Sequence, residues 1–129
     1  MRWVIEDLGN DESFQLKIVA SGSHFSEAYG LTYKEIENDG FAIDEKIPLD
    51  IFSNQAEDLT AAIATLAKEL SLRLPVLEPD LMLFMGDRYE LLGMATACLL
   101  KGVPMAHISG GEITEGAFDD QIRHAMTKF

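Results

Sequence analysis

The fold is decided by residues 80–129, DLMLFMGDRYELLGMATACLLKGVPMAHISGGEITEGAFDDQIRHAMTKF. A short apolar run from Leu81 to Met85 leads into Gly86-Asp87-Arg88. An Ala- and Leu-rich helical segment over 88–101 follows, closed by Gly102. A second apolar run over 103–108 carries Pro104 at its start, where a missing N–H is tolerated, and contains His107. Gly110-Gly111-Glu112 come next, and a helix over 118–128 brings Asp119, Asp120, Arg123 and His124. Two apolar strands thus each deliver glycine, carboxylate and basic residues at their C-terminal ends. An open parallel α/β sheet places its ligand crevice there.

The upstream sequence alternates in the same way. Residues 1–8 have the apolar spacing of a helix, ended by Gly9-Asn10. Residues 14–20 read as a strand with β-branched Ile18 and Val19, followed by a Ser21-to-His24 loop. A short helix over 32–38 is ended by Asp39-Gly40, and a weaker strand spans 41–47. Ser53 is a candidate N-cap, with Asp50 nearby to complement the helix dipole. From there a long helix runs with Leu59, Ile63, Leu66 and Leu70 on one stripe, and Pro75 and Pro79 are expected to stop it. Helix and strand in strict alternation predict a parallel sheet with helices on both faces, in a single domain over 1–129.

The charge balance is strongly acidic, with 22 Asp plus Glu against 10 Lys plus Arg and a net charge of -12. That disfavours non-specific binding to nucleic acid or to anionic membranes, yet leaves room for an anionic small ligand met by a few local cations. The one cysteine, Cys98, lies in an apolar helix, and no disulfide is possible within the chain. A reducing, cytoplasmic setting fits. No apolar run reaches the roughly 18 residues of a membrane span, and the amino terminus has no signal-peptide pattern.

Several residues have chemistry-bearing positions. Asp87 opens a helix, where it is either an ordinary cap or a carboxylate held at the crevice. Arg88 has Asp87 and Glu90 as potential partners. A lone histidine such as His107 at a strand end is usually a core residue with satisfied nitrogens. Gly110 and Gly111 suggest the close approach of a ligand. Asp119 and Arg123 stand at i and i+4, as do Asp120 and His124. Each pair is either a plain helix salt bridge, worth about 0.2–0.5 kcal/mol, or a positioned acid with a tuning cation. Asp87, His107, Asp119 and His124 lack metal-ligand spacing, and no metal is expected.

These blocks resemble the UDP-N-acetylglucosamine 2-epimerase family. The resemblance is carried by Gly86-Asp87-Arg88-Tyr89-Glu90, by residues 103–108 (VPMAHI), by Gly110-Gly111-Glu112 and by residues 119–128 (DDQIRHAMTK). Residues 21–24 (SGSH), 29–33 (YGLTY) and 36–41 (IENDGF) match as well. The resemblance favours the hydrolysing branch, which forms N-acetylmannosamine for sialic acid. A related branch acts on UDP-diacetylbacillosamine. The non-hydrolysing branch usually carries Gly-Asp-Thr and a glutamate at the position of Ser109, so Arg88 and Ser109 lean away from it. An alternative of another class is a non-catalytic nucleotide-sugar-binding module.

The resemblance implies a GT-B arrangement of two Rossmann-like domains, of which this chain is expected to be a partial first domain, without its first strand and without the second domain. Such a piece is expected to be inactive alone, and to be either poorly stable or closed by direct pairing of the strands at 14–20 and 80–85. The implied reaction is removal of the C2 proton with loss of UDP to give a 2-acetamidoglycal, then addition of water with inversion at C2. Asp87 and Asp119 are the implied acid–base candidates, with Arg123 contacting substrate or holding Asp119. His24, Arg88, His107, Gly110, Gly111, Glu112, Asp120 and His124 are the implied substrate-binding residues. No cofactor is implied. The partner is the UDP-sugar, and the full-length parent is expected to be a homo-oligomer. Ser109 cannot serve as a carboxylate base, so either Glu112 takes a larger part or that role lies elsewhere.

Overall fold

The computed structural model describes residues 1–49 and 55–129. Ser53 and Asp50, the expected cap and dipole partner, lie outside the described residues. The chain divides into two compact units, Met1–Asp50 and Ile51–Phe129.

The first unit contains helix α1 (Arg2–Asn10), strand β1 (Val19–Gly22), two 3₁₀ turns (Ser23–Phe25 and Glu27–Tyr29), helix α2 (Tyr33–Asn38) and strand β2 (Glu45–Pro48). β1 and β2 pair in parallel, Val19 opposite Glu45 through Gly22 opposite Pro48. Both strands sit later in the chain than the apolar runs predict. The reason is local. Asp44 clamps the start of the ladder: its Oδ2 accepts from the Ile18 N–H at 2.7 Å, while its own N–H donates to the Ile18 carbonyl. Phe14 stays 56% exposed, so the earlier part of the run has no burial to hold it in the ladder. Lys46 of β2 ties back to α2 through Glu37 at 2.6 Å and lies over the Tyr33 ring.

The second unit contains α3 (Ala56–Leu77), β3 (Met82–Met85), α4 (Glu90–Lys101), β4 (Met105–Ile108) and α5 (Phe118–Lys128). α3 does not stop at Pro75. It continues to Leu77 and ends at Glu78, whose left-handed conformation (φ 46°) lets its N–H close on the Leu74 carbonyl at 2.8 Å. The buried stripe explains this. Ala62, Leu66, Leu70, Leu74 and Leu77 are all buried, so carrying the helix past the proline adds Leu77 to the core. Full burial of such a leucine is worth about 1.5–3 kcal/mol, comparable to the cost of about 3 kcal/mol that a proline brings by removing one ladder N–H and crowding the carbonyl four residues earlier. The stripe runs through Ala62 rather than Leu59 and Ile63, which are half-buried.

α3 packs against α4. The crossing is close because residue 93 is glycine: a Cβ there would stand 2.3 Å from the Ile63 carbonyl oxygen and 3.2 Å from the Ala67 nitrogen. Met94, Ala95, Ala97 and Cys98 fill the α4 side of the core. Gly102 ends α4 in the left-handed conformation, as expected.

β3 and β4 pair in parallel, Met82 opposite Met105 through Met85 opposite Ile108. The strand order is therefore two two-stranded parallel sheets, β1-β2 and β3-β4. Direct pairing of β1 with β3, one of the two outcomes expected for this piece, is not formed among the described residues. The ladder bonds of each strand are made to its own sheet partner instead. β3 is only partly enclosed. Phe84 is buried, but Leu81 and Met85 are about half exposed (54% and 50%), and among the described residues β4 is its one ladder partner.

Candidate active site

The C-terminal tips of β3 and β4 and the face of α5 meet in the second unit. β3 ends at Met85, and Gly86 turns the chain with φ 88°, a left-handed value that suits glycine. The turn delivers Asp87 to Arg123 of α5, and the two form an ion pair through Oδ2 and Nη2. The pair is largely enclosed, with side-chain exposures of 24% and 11%. Arg123 thus holds Asp87, not its helical neighbour Asp119.

The same guanidinium organises the loop between β4 and α5. Its Nη1 donates to the Glu112 carbonyl at 3.1 Å and to the Thr114 hydroxyl at 2.8 Å. Its Nε is buried without a partner among the described residues. Asp120 secures the loop from the other side, its Oδ1 accepting from the Thr114 N–H at 2.8 Å. Its Oδ2 lies 3.6 Å from His124 Nε2, so the expected i,i+4 pair is present but long. Thr127, one turn after Arg123, accepts from the Gly111 N–H at 3.2 Å and donates to the Arg123 carbonyl at 2.9 Å. The Glu112 side chain and Asp119 remain exposed. Asp119 lies one helical turn before Arg123, a spacing that puts Cβ atoms about 5–6 Å apart. An enclosed carboxylate on a guanidinium, with an exposed carboxylate one helical turn away, can accept a proton at one point and supply one at another.

Other expected site residues have structural partners. Arg88 reaches Glu90 through Nε and Nη2 at 3.0–3.3 Å, and Glu90 is a buried carboxylate (4% exposed) in the first turn of α4. His107 Nε2 donates to the Gly86 carbonyl at 2.6 Å. Gly110 gives room for this chain's own groups: a Cβ there would meet His107 Nδ1 at 3.0 Å and Thr127 Oγ1 at 3.1 Å. Gly111 has open space and φ 78°, so its glycine serves the backbone conformation. His24, in the first unit, pairs its Nδ1 with the Thr32 hydroxyl at 2.8 Å. Among the described residues no group of three or more His, Cys, Asp or Glu side chains is placed to hold a metal ion.

Thr114 and Thr127 were not singled out from sequence. For Thr127 a signal existed, its i+4 spacing from Arg123 on one helix face. Thr114 had none, since its contacts depend on how the loop folds back. A cavity of about 300 Å³ is lined by Phe84, Met105, His107, Gly110, Met126, Thr127 and Phe129.

The chain is similar to known proteins in both sequence and fold. The chain is 40% identical over 128 residues to a protein of Campylobacter jejuni named GDP/UDP-N,N'-diacetylbacillosamine 2-epimerase (hydrolyzing), covering 99% of this chain and 33% of that one. It is 37% identical over 131 residues to the UDP-N,N'-diacetylbacillosamine 2-epimerase (hydrolyzing) of Legionella pneumophila, with 99% and 34% covered. The chain therefore spans about a third of the length of these curated relatives. Its fold matches the crystal structure of UDP-GlcNAc 2-epimerase from Neisseria meningitidis bound to UDP-GlcNAc, with a TM-score of 0.77 at 18% identity over 98% of this chain and 34% of that one. The sequence signature described as UDP-N-acetylglucosamine 2-epimerase covers residues 6–129, and the chain belongs to that family.

Proposed function

We propose that this chain is the Asp87-bearing part of a hydrolysing UDP-sugar 2-epimerase. The observation that carries the reading is the Asp87–Arg123 pair, whose guanidinium also ties down the Glu112 and Thr114 segment. In the first step Asp87 accepts the C2 proton of a 2-acetamido sugar while the C1–O bond breaks. The electron pair of the C2–H bond forms the C1–C2 double bond, UDP leaves, and a 2-acetamidoglycal remains. In the second step water adds its oxygen to C1, and a proton returns to C2 from the opposite face. Asp119 and Glu112, both exposed, are the candidates for that second proton transfer. General acid–base groups of this kind contribute about 10²–10⁴ in rate.

The expectation from the motifs alone is UDP-N-acetylglucosamine, giving N-acetylmannosamine. The names of the two relatives at 40% and 37% identity favour UDP-N,N'-diacetylbacillosamine as the substrate, and the family description supports UDP-N-acetylglucosamine as the second reading. Because the chain spans about a third of these relatives, the 129 residues alone are expected to turn over neither sugar.

The test is a UDP-release assay on the full-length protein that carries this chain, with each sugar nucleotide in turn. We expect release from UDP-N,N'-diacetylbacillosamine with at least about tenfold higher kcat/KM, a difference of about 1.4 kcal/mol in transition-state binding. Preference for UDP-N-acetylglucosamine would return the substrate to the second reading. Release from neither would refute the enzymatic one.

A further inference from the structure

We propose that His107 is a positioning residue, whose Nε2–H holds the Gly86 carbonyl and thereby fixes where Asp87 stands against the loop at 110–112. The inference rests on the 2-epimerase reading above for its effect on turnover, while the geometry it invokes stands independently.

A backbone carbonyl only accepts hydrogen bonds, so the 2.6 Å contact to Gly86 requires the proton on His107 Nε2. The Gly86 carbonyl and the Asp87 N–H belong to one planar peptide. Fixing that carbonyl therefore fixes the backbone of Asp87. The restraint matters at Gly86, because its left-handed turn (φ 88°) has open space where a Cβ would lie and its N–H makes only a long bond, 3.4 Å, to the Ile108 carbonyl. Asp87 is then held at both ends, its peptide by His107 of β4 and its carboxylate by Arg123 of α5.

The other ring nitrogen closes the arrangement. His107 Nδ1 is buried without a partner among the described residues. It lies so near Gly110 that a Cβ there would be 3.0 Å away. The imidazole is thus packed between the turn after β3 and the loop after β4. Its one strong hydrogen bond goes to the protein backbone, which is the arrangement of a spacer and not of a group that meets substrate.

The test has two parts. In the full-length protein we expect His107→Asn, which is too short to reach Gly86, to lower kcat by about 10–100-fold. KM should stay within about threefold, since misplacing a reacting group by about 1 Å can cost 10² in rate. His107→Gln, whose amide N–H reproduces the Nε2 donor, should retain kcat within about fivefold. Equal losses in the two variants, or a rise in KM with kcat unchanged, would overturn the proposal. The second part is nitrogen-15 NMR of the wild-type imidazole, which reads the tautomer without any turnover. A proton on Nε2 supports the positioning role, and a proton on Nδ1 alone overturns it. Failure of the wild type to release UDP would count against the enzymatic reading, while the tautomer would still decide the role of His107.

Discussion

Asp87, two residues past the end of β3, is paired with Arg123, 36 positions later on α5. One guanidinium thereby joins the tip of β3, α5 and, through Glu112 and Thr114, the loop between β4 and α5. Removing it disconnects three things at once. In the full-length protein Arg123→Ala and Asp87→Asn should therefore be non-additive in kcat/KM. We expect the double variant to be no more than about threefold worse than Asp87→Asn alone, with a coupling of about 2 kcal/mol. Additive losses would mean that the two residues act separately. Arg123→Lys should behave like Arg123→Ala, because an ammonium cannot reproduce the fork that serves Asp87 and the loop together.

The α3–α4 crossing has a specific weak point. A methyl group at residue 93 would strike the backbone of Ile63 at 2.3 Å, and a backbone atom cannot rotate away as a side chain can. Gly93→Ala should lower stability by about 3 kcal/mol, the upper end of ordinary overpacking, despite the better helix propensity of alanine. Urea denaturation followed by circular dichroism checks this.

Cys98 is fully buried, and burial pushes its thiol from 9.0 up to about 11. The folded state therefore keeps the proton when the unfolded chain has already lost it. Its contribution to stability is complete below about pH 9 and is lost as the pH rises from there towards about 11. Wild type should lose more stability across that window than Cys98→Ala, by on the order of 2–3 kcal/mol. Native Cys98 should also resist iodoacetamide at pH 8, reacting only when the chain is unfolded.

Ser109, directly after β4, is in the left-handed region with φ 64°. A β-branched residue tolerates that conformation poorly, and glycine tolerates it freely. Ser109→Val should melt below Ser109→Gly by the equivalent of about 2 kcal/mol. Differential scanning calorimetry of the two variants decides it.

Much of this arrangement was legible in the residues. The helix over 118–128 and the Gly102 stop followed from periodicity and capping chemistry, and both are local properties. The strands at 19–22 and 45–48 form later in the chain than their apolar runs, because apolar content says where a strand is possible and pairing says where it forms. Pro75 misled for a related reason, since Leu77 outweighed it only through packing that sequence does not display. At the site, the spacing of Asp119 and Arg123 suggested a partnership within one helix. The partnership found is with Asp87, reached through the turn at Gly86. Contacts within four residues follow from the helix period. Those across 36 positions depend on how loops return.

The proposed role of Asp87 is to take the proton from C2 of a UDP-sugar. It is tested most directly by running the full-length protein and its Asp87→Asn variant in deuterium oxide and reading the released sugar by mass spectrometry and proton NMR. We expect one deuterium at C2 of the wild-type product, with release slowed at least about 100-fold in Asp87→Asn. A product with its original C2 hydrogen, or an Asp87→Asn variant as fast as wild type, would contradict it.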